Sequence, residues 1–146
     1  MIHITKKKLQ LLFKKFGYRL FKLIYPKINE FENVEQNISS NITLSKINKD
    51  FIYKLFIINN ARLYTDTVSD CAVIQNDKVL EGPSFQIRDT KFDNIKKNNI
   101  FIKGTPKIKK KIKGKVLSLL TGGAGNYNYW HWLFDVLPRI KICQQI

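Results

Sequence analysis

Val116–Arg139, VLSLLTGGAGNYNYWHWLFDVLPR, reads as a short apolar strand, a glycine-rich turn and an aromatic helix, and this order decides the fold class. A continuous apolar run such as Val116–Leu120 is the pattern of a strand buried on both faces of a parallel sheet, and strand, turn and helix in succession open an α/β unit. Ligands in open α/β sheets sit at the carboxyl ends of strands, so the residues just after Leu120 occupy the expected site position. Gly122, Gly123 and Gly125 let the backbone bring amide N–H groups close to a ligand, and a helix N-terminus favours anions. A tight structural turn is the competing reading. As a dinucleotide fingerprint the turn is incomplete, because Asn128 stands where the third glycine belongs and no Walker lysine follows.

In the helix, His131, Asp135 and Arg139 recur every four residues and so share one face. Histidine suits general base work near neutral pH, aspartate can orient it or itself accept a hydroxyl proton, and arginine suits bidentate pairing with phosphate or carboxylate. The same three residues can instead pair among themselves and tether the helix. Tyr127, Tyr129, Trp130, Trp132 and Phe134 crowd the first turns; part of this set is expected in the core, and the rest can stack on a sugar ring or base. Pro138 lacks an N–H and clashes with the carbonyl of Phe134, which predicts a kink or restart at Leu137-Pro138.

Upstream, Phe51–Arg88 holds the short β-rich runs FIYKLFII, ARLYTDTV, CAVIQ, KVLEG and SFQIR, separated by turn residues. This predicts a meander, with a hairpin turn at Gln75–Lys78 and a corner at Glu81-Gly82-Pro83. Lys27–Lys49 is polar and reads as linker or irregular structure. Residues 6–25, ended by Pro26, carry Leu9, Leu12, Phe13, Phe16, Leu20, Leu23 and Ile24 at helical spacing among lysines and Arg19. Such a helix can lie in the headgroup region of an anionic membrane, each basic residue adding about 1 kcal/mol near the surface, or dock on the protein's own core. Ile95–Lys115 is one short apolar run followed by a basic loop expected to be solvated.

The 146 residues, 44% of them hydrophobic, suffice for a domain with a core and argue against disorder. A formal charge of +15, concentrated in Lys6–Lys22 and Lys96–Lys115, favours anionic partners; a compositional drift towards Lys, Ile and Asn is the competing cause. Cys71 and Cys143 stand alone, with no C-x-x-C and no clustered histidines, so no metal site is expected. Two lone thiols without a recognisable leader fit a cytoplasmic setting, with peripheral contact at the inner face of the membrane through residues 6–25. No stretch is long and apolar enough to span a bilayer. RIKICQQI at the end still reads as helix, which is expected of a chain that continues.

Asn128-Tyr129-Trp130-His131-Trp132 followed by Asp135-Val136-Leu137-Pro138-Arg139 resembles the N-Y-x-H-W/F-x-x-D/E-x-L-P-R signature of glycosyltransferase family 61, the capsular-polysaccharide-biosynthesis-like proteins. Ala61–Tyr64, Ala72–Ile74 and Gly82–Ser84 resemble the strand meander that precedes this signature. The resemblance implies an inverting, sugar-nucleotide-dependent glycosyltransferase of GT-B-like architecture that moves a sugar to a hydroxyl of a polysaccharide or glycan. Residues 1–25 would then be a basic helix, 26–50 a linker, and 51–146 the N-terminal portion of an acceptor-side domain, α+β in itself and opening a Rossmann-like unit. It further implies that Asp135 or His131 is the catalytic base, and that Arg139, Asn128, Tyr129 and Trp132 contact substrate. No cofactor is implied; the sugar nucleotide is a donor substrate held mainly by a downstream half. The alternative is a basic, non-catalytic module binding nucleic acid or an anionic membrane. No helix-turn-helix, zinc knuckle or RNA-binding aromatic signature accompanies the basic segments, so nucleic acid is the less favoured partner.

Overall fold

Short runs rich in β-branched and aromatic residues, cut by Asn, Asp, Gly and Pro, dictate a sheet of short strands. The computed structural model describes residues 5–34, 36, 42–46, 54–105, 107–120 and 129–144, as a mixed α and β fold. Helix α1 (Lys6–Ile24) precedes strands β1 (Glu30–Asn33), β2 (Ile42–Lys46), β3 (Lys54–Ile58) and β4 (Arg62–Thr67). Strands β5 (Asp70–Gln75), β6 (Lys78–Glu81), β7 (Phe85–Arg88) and β8 (Lys91–Phe92) follow. A 3-10 turn (Ile95–Lys97) and the short helix α2 (Asn99–Lys103) come next.

β5 is the centre. It pairs antiparallel with β4 along one edge; on the other, β6 takes its C-terminal end and β7 its N-terminal end. Between those two partners Val73 would lose its ladder, and the Ser84 hydroxyl takes their place: it accepts from the Val73 N–H at 2.9 Å and donates to the Val73 carbonyl at 3.4 Å. The expected hairpin turn is present, with Asn76 and Asp77 at φ 49° and 57°, the left-handed pair that matches strand twist. The chain is nevertheless not a simple meander, since β6 and β7 share one neighbour and β3 lies outside this sheet.

The segment expected to be linker contributes two strands. β1 joins the main sheet parallel to β6, and β2 pairs antiparallel with β3 along five residues, Ile42 opposite Ile58 through Lys46 opposite Lys54. β1, EFEN, holds a single apolar residue, so no local pattern announces it; the open edge of β6 recruits it. β2, ITLSK, does alternate, but too briefly to stand out from its polar surroundings.

Alternation along β5 and β6 then builds a core on both faces. Ala72, Ile74 and Val79 meet Ile28, Ile95 and Ile100 on one face, with Tyr64 and Phe101 packed against them. Leu80 and Val34 form the second cluster, against Phe56, Ile58 and Val73. At the start of Ile95–Lys115, Ile95 and Ile100 seal the sheet, while the basic loop that follows, residues 107–115, is exposed.

Gly82 sits at the corner between β6 and β7 with φ +113°, and a Cβ there would lie 3.1 Å from the Phe56 ring. Gly82→Ala should therefore cost about 1–3 kcal/mol, from backbone strain and the crowded ring together. Urea denaturation followed by far-UV circular dichroism measures it, and an unchanged midpoint would sink this account of the corner.

A buried polar network fastens the 3-10 turn and α2 to the sheet. Asp70, 3% exposed at its side chain, accepts two hydrogen bonds of 2.9 Å from Arg88 on β7. The same carboxylate accepts from the Asn99 backbone N–H and side-chain amide, both at 3.1 Å. Arg88 also donates to the carbonyls of Ile87 and Lys97. Its pKa is raised, first by the hydrogen bonds to Asp70 and then by that carboxylate's charge. Asn98, fully buried, caps α2 by accepting from the Ile100 N–H and directs its amide at the carbonyls of Cys71 and Phe85.

Cys71 lies buried in β5, and desolvation pushes its thiol up to about 11 from an ordinary 9.0. The neutral form is the one the fold stabilises, so this contribution is complete below pH 9 and is lost as pH rises towards 11. At neutral pH a thiol reagent should label Cys143, which is partly exposed, well before Cys71. Equal labelling rates in the folded chain would contradict the burial of β5.

Val116–Leu120 does not form the expected buried strand. Residues 107–120 have no regular structure, and Val116 is 62% exposed. A strand exists through its ladder, and no described strand lies beside this run. Among the described residues, then, the strand that would open a Rossmann-like unit is not formed.

Candidate active site on the aromatic helix

Three helical pieces carry the candidate residues: α3 (Tyr129–His131), a π-helical stretch (Trp132–Val136) and α4 (Leu137–Cys143). The sequence dictates this irregularity. Pro138, in the first turn of α4, offers no N–H to the Phe134 carbonyl and needs room beside it. The turn ahead of it widens, so that the Leu137 N–H donates to Trp132 O, five residues back. The break expected at Leu137-Pro138 is thus a π-bulge, a device found frequently at functional sites.

Within that stretch His131 Nδ1 lies 2.6 Å from Asp135 Oδ2. Both side chains are a little over one third exposed, so the pair is open to a substrate. Nδ1 is occupied by the carboxylate, which leaves Nε2 as the nitrogen facing any incoming group; it has no hydrogen-bond partner among the described residues. An imidazole oriented by a carboxylate through one nitrogen and free at the other can accept a proton.

Arg139 does not pair with the other two. It donates to the carbonyl of Leu120 at 3.1 Å, and no ion pair joins it to Asp135. The contact brings the end of Val116–Leu120 to the base of the helix, a tie across 19 residues that sequence spacing does not announce.

The described aromatic residues of this segment are not in the core. Tyr129, Trp130, Trp132 and Phe134 are all exposed, Trp130 at 65%. Trp130 and Phe134 pack against each other with centroids 4.3 Å apart and planes tilted by 41°. The four described members of the set are thus not the part expected in the core: in the π stretch Val136 is the fully buried residue, and the rings lie on the outer faces. Exposed, mutually braced rings beside a histidine suit stacking against a sugar face. Gly122, Gly123, Gly125, Tyr127 and Asn128 lie outside the described residues, and so does the anion-binding turn they would form.

Comparison with protein-family models, with curated proteins and with solved structures gives no match to this chain. Among the described residues no three His, Cys, Asp or Glu side chains are grouped to hold a metal ion.

Proposed function

We propose that this chain carries the acceptor-side site of an inverting, sugar-nucleotide-dependent glycosyltransferase, with His131 as the base and Asp135 as its orienting partner. The observation that supports the reading most is the 2.6 Å contact between His131 Nδ1 and Asp135 Oδ2. It joins two positions that the signature resemblance singles out, in a helix whose aromatic residues face outward. In this reading His131 Nε2 takes the proton of an acceptor hydroxyl while that oxygen attacks the anomeric carbon. The bond from that carbon to the nucleoside diphosphate breaks on the opposite side, and its electron pair leaves with the phosphate oxygen. Tyr129 and Trp132 contact the sugar, and Arg139 fixes the Leu120 end of the preceding segment beside the helix.

The wider architecture in this reading is GT-B-like, with a Rossmann-like unit beginning at Val116. The exposure of that apolar run is consistent with a strand whose ladder partner comes from further chain. The donor sugar nucleotide is then held mainly by a second α/β half. The test is to extend the reading frame past Ile146, express whatever it encodes with this chain, and measure nucleoside diphosphate release from a panel of sugar nucleotides. Release that requires His131 supports the proposal; a frame that stops at Ile146, with no release from the chain alone, overturns it.

A further inference from the structure

α1 buries none of its residues. Its apolar side chains Leu9, Leu12, Phe13, Phe16, Leu20 and Leu23 fall on one face at helical spacing, and all are exposed, Phe13 at 78% and Leu23 at 85%. The rest of the circumference carries Lys6, Lys7, Lys8, Lys14, Lys15, Arg19 and Lys22 with no acidic residue. Among the described residues, this apolar face is not docked on the protein's own core.

A second basic segment is tied to the same end of the molecule. Residues 107–115, KIKKKIKGK, are without regular structure, exposed and free of acidic residues, with Ile108 and Ile112 between the lysines. The Lys109 backbone N–H donates to the Tyr25 hydroxyl at 3.2 Å, and Lys109 Nζ lies 4.8 Å from the Tyr25 ring centroid. Tyr25 is the C-cap of α1, so the strap is anchored where the helix ends.

We propose that α1 and the strap at 107–115 together form a docking surface for an anionic lipid bilayer, with α1 lying in the plane of the headgroups. Charge selects this occupant. A second copy of α1 would set seven positive charges against seven with no carboxylate to pair them, and a nucleic acid would satisfy the lysines while leaving the apolar stripe in water. An anionic interface takes both at once: the stripe enters the acyl boundary and the lysines reach the headgroups. No helix among the described residues is long and apolar enough to cross a membrane. The proposal stands apart from the transfer reaction.

Vesicle co-sedimentation tests it with the full chain, using phosphatidylcholine vesicles with and without a third of phosphatidylglycerol. Partitioning onto the anionic vesicles should exceed that onto neutral ones by at least about tenfold and weaken with added salt. Phe13→Ser with Phe16→Ser should lower it about tenfold, and so should Lys109→Glu with Lys111→Glu, with the urea midpoint of the sheet unchanged because neither pair touches the core. Equal binding to both vesicle types would overturn the proposal. So would an undiminished affinity in the phenylalanine variant, the result expected of a purely electrostatic polycation, or a dimer that forms through α1 without vesicles.

Discussion

Asp70→Ala should lower stability by about 3 kcal/mol or more, the largest effect expected of any single substitution in the sheet. The carboxylate is almost wholly buried and accepts four hydrogen bonds from Arg88 and Asn99. Removing it leaves the Arg88 guanidinium without its countercharge and the Asn99 N–H without an acceptor at the point where α2 joins β5 and β7. Because Arg88 is about one third exposed, water can reach part of it, which holds the expected cost near the lower end of the range for broken buried pairs. Asp70→Asn keeps one acceptor oxygen and should cost less. Far-UV circular dichroism in urea is the right probe, since both tryptophans sit on the last helix and report nothing of the sheet. A loss below about 1 kcal/mol would mean that the network contributes little beyond a surface ion pair.

His131→Ala should lower the turnover of sugar transfer about 100-fold or more, in the range a positioned general base supplies, and leave the donor KM nearly unchanged. Asp135→Asn should fall in the same direction, because an amide facing Nδ1 no longer selects the imidazole form with Nε2 free. A purely tethering pair behaves differently: its loss would fray the helix and lower donor affinity and turnover together. Added imidazole separates the two cases. It should restore part of the activity of His131→Ala if the ring moves a proton, and none if the ring only fastens Asp135.

Where local pattern decides structure, the sequence was legible. The turn at Asn76-Asp77, the strands from β3 to β7 and the length of α1 all follow from residue types within a few positions. What was not legible depends on partners distant in sequence. β1 carries one phenylalanine between glutamates and becomes a strand because β6 offers an edge 48 residues on. The Asp70 network joins residues 18 and 29 apart, and nothing near Asp70 distinguishes it from a surface aspartate. Val116–Leu120 misleads in the opposite sense, because an apolar run looks like a buried strand whether or not a ladder awaits it. The site divides along the same line. Spacing of four brings His131 and Asp135 together even through the π-bulge, whereas the partner of Arg139 is Leu120, 19 residues back. The rings of Tyr129, Trp130, Trp132 and Phe134 face outward although their number suggested a core.

In the proposed reaction the His131–Asp135 pair moves a proton from the acceptor hydroxyl. Nucleoside diphosphate release from sugar nucleotides, measured on the chain extended through its full reading frame and on its His131→Ala variant, tests this most directly. Release by the parent should depend on acceptor, fall about 100-fold in the variant and be partly recovered with imidazole. Release that is equal in the two proteins, or absent from the parent with every donor, would contradict it.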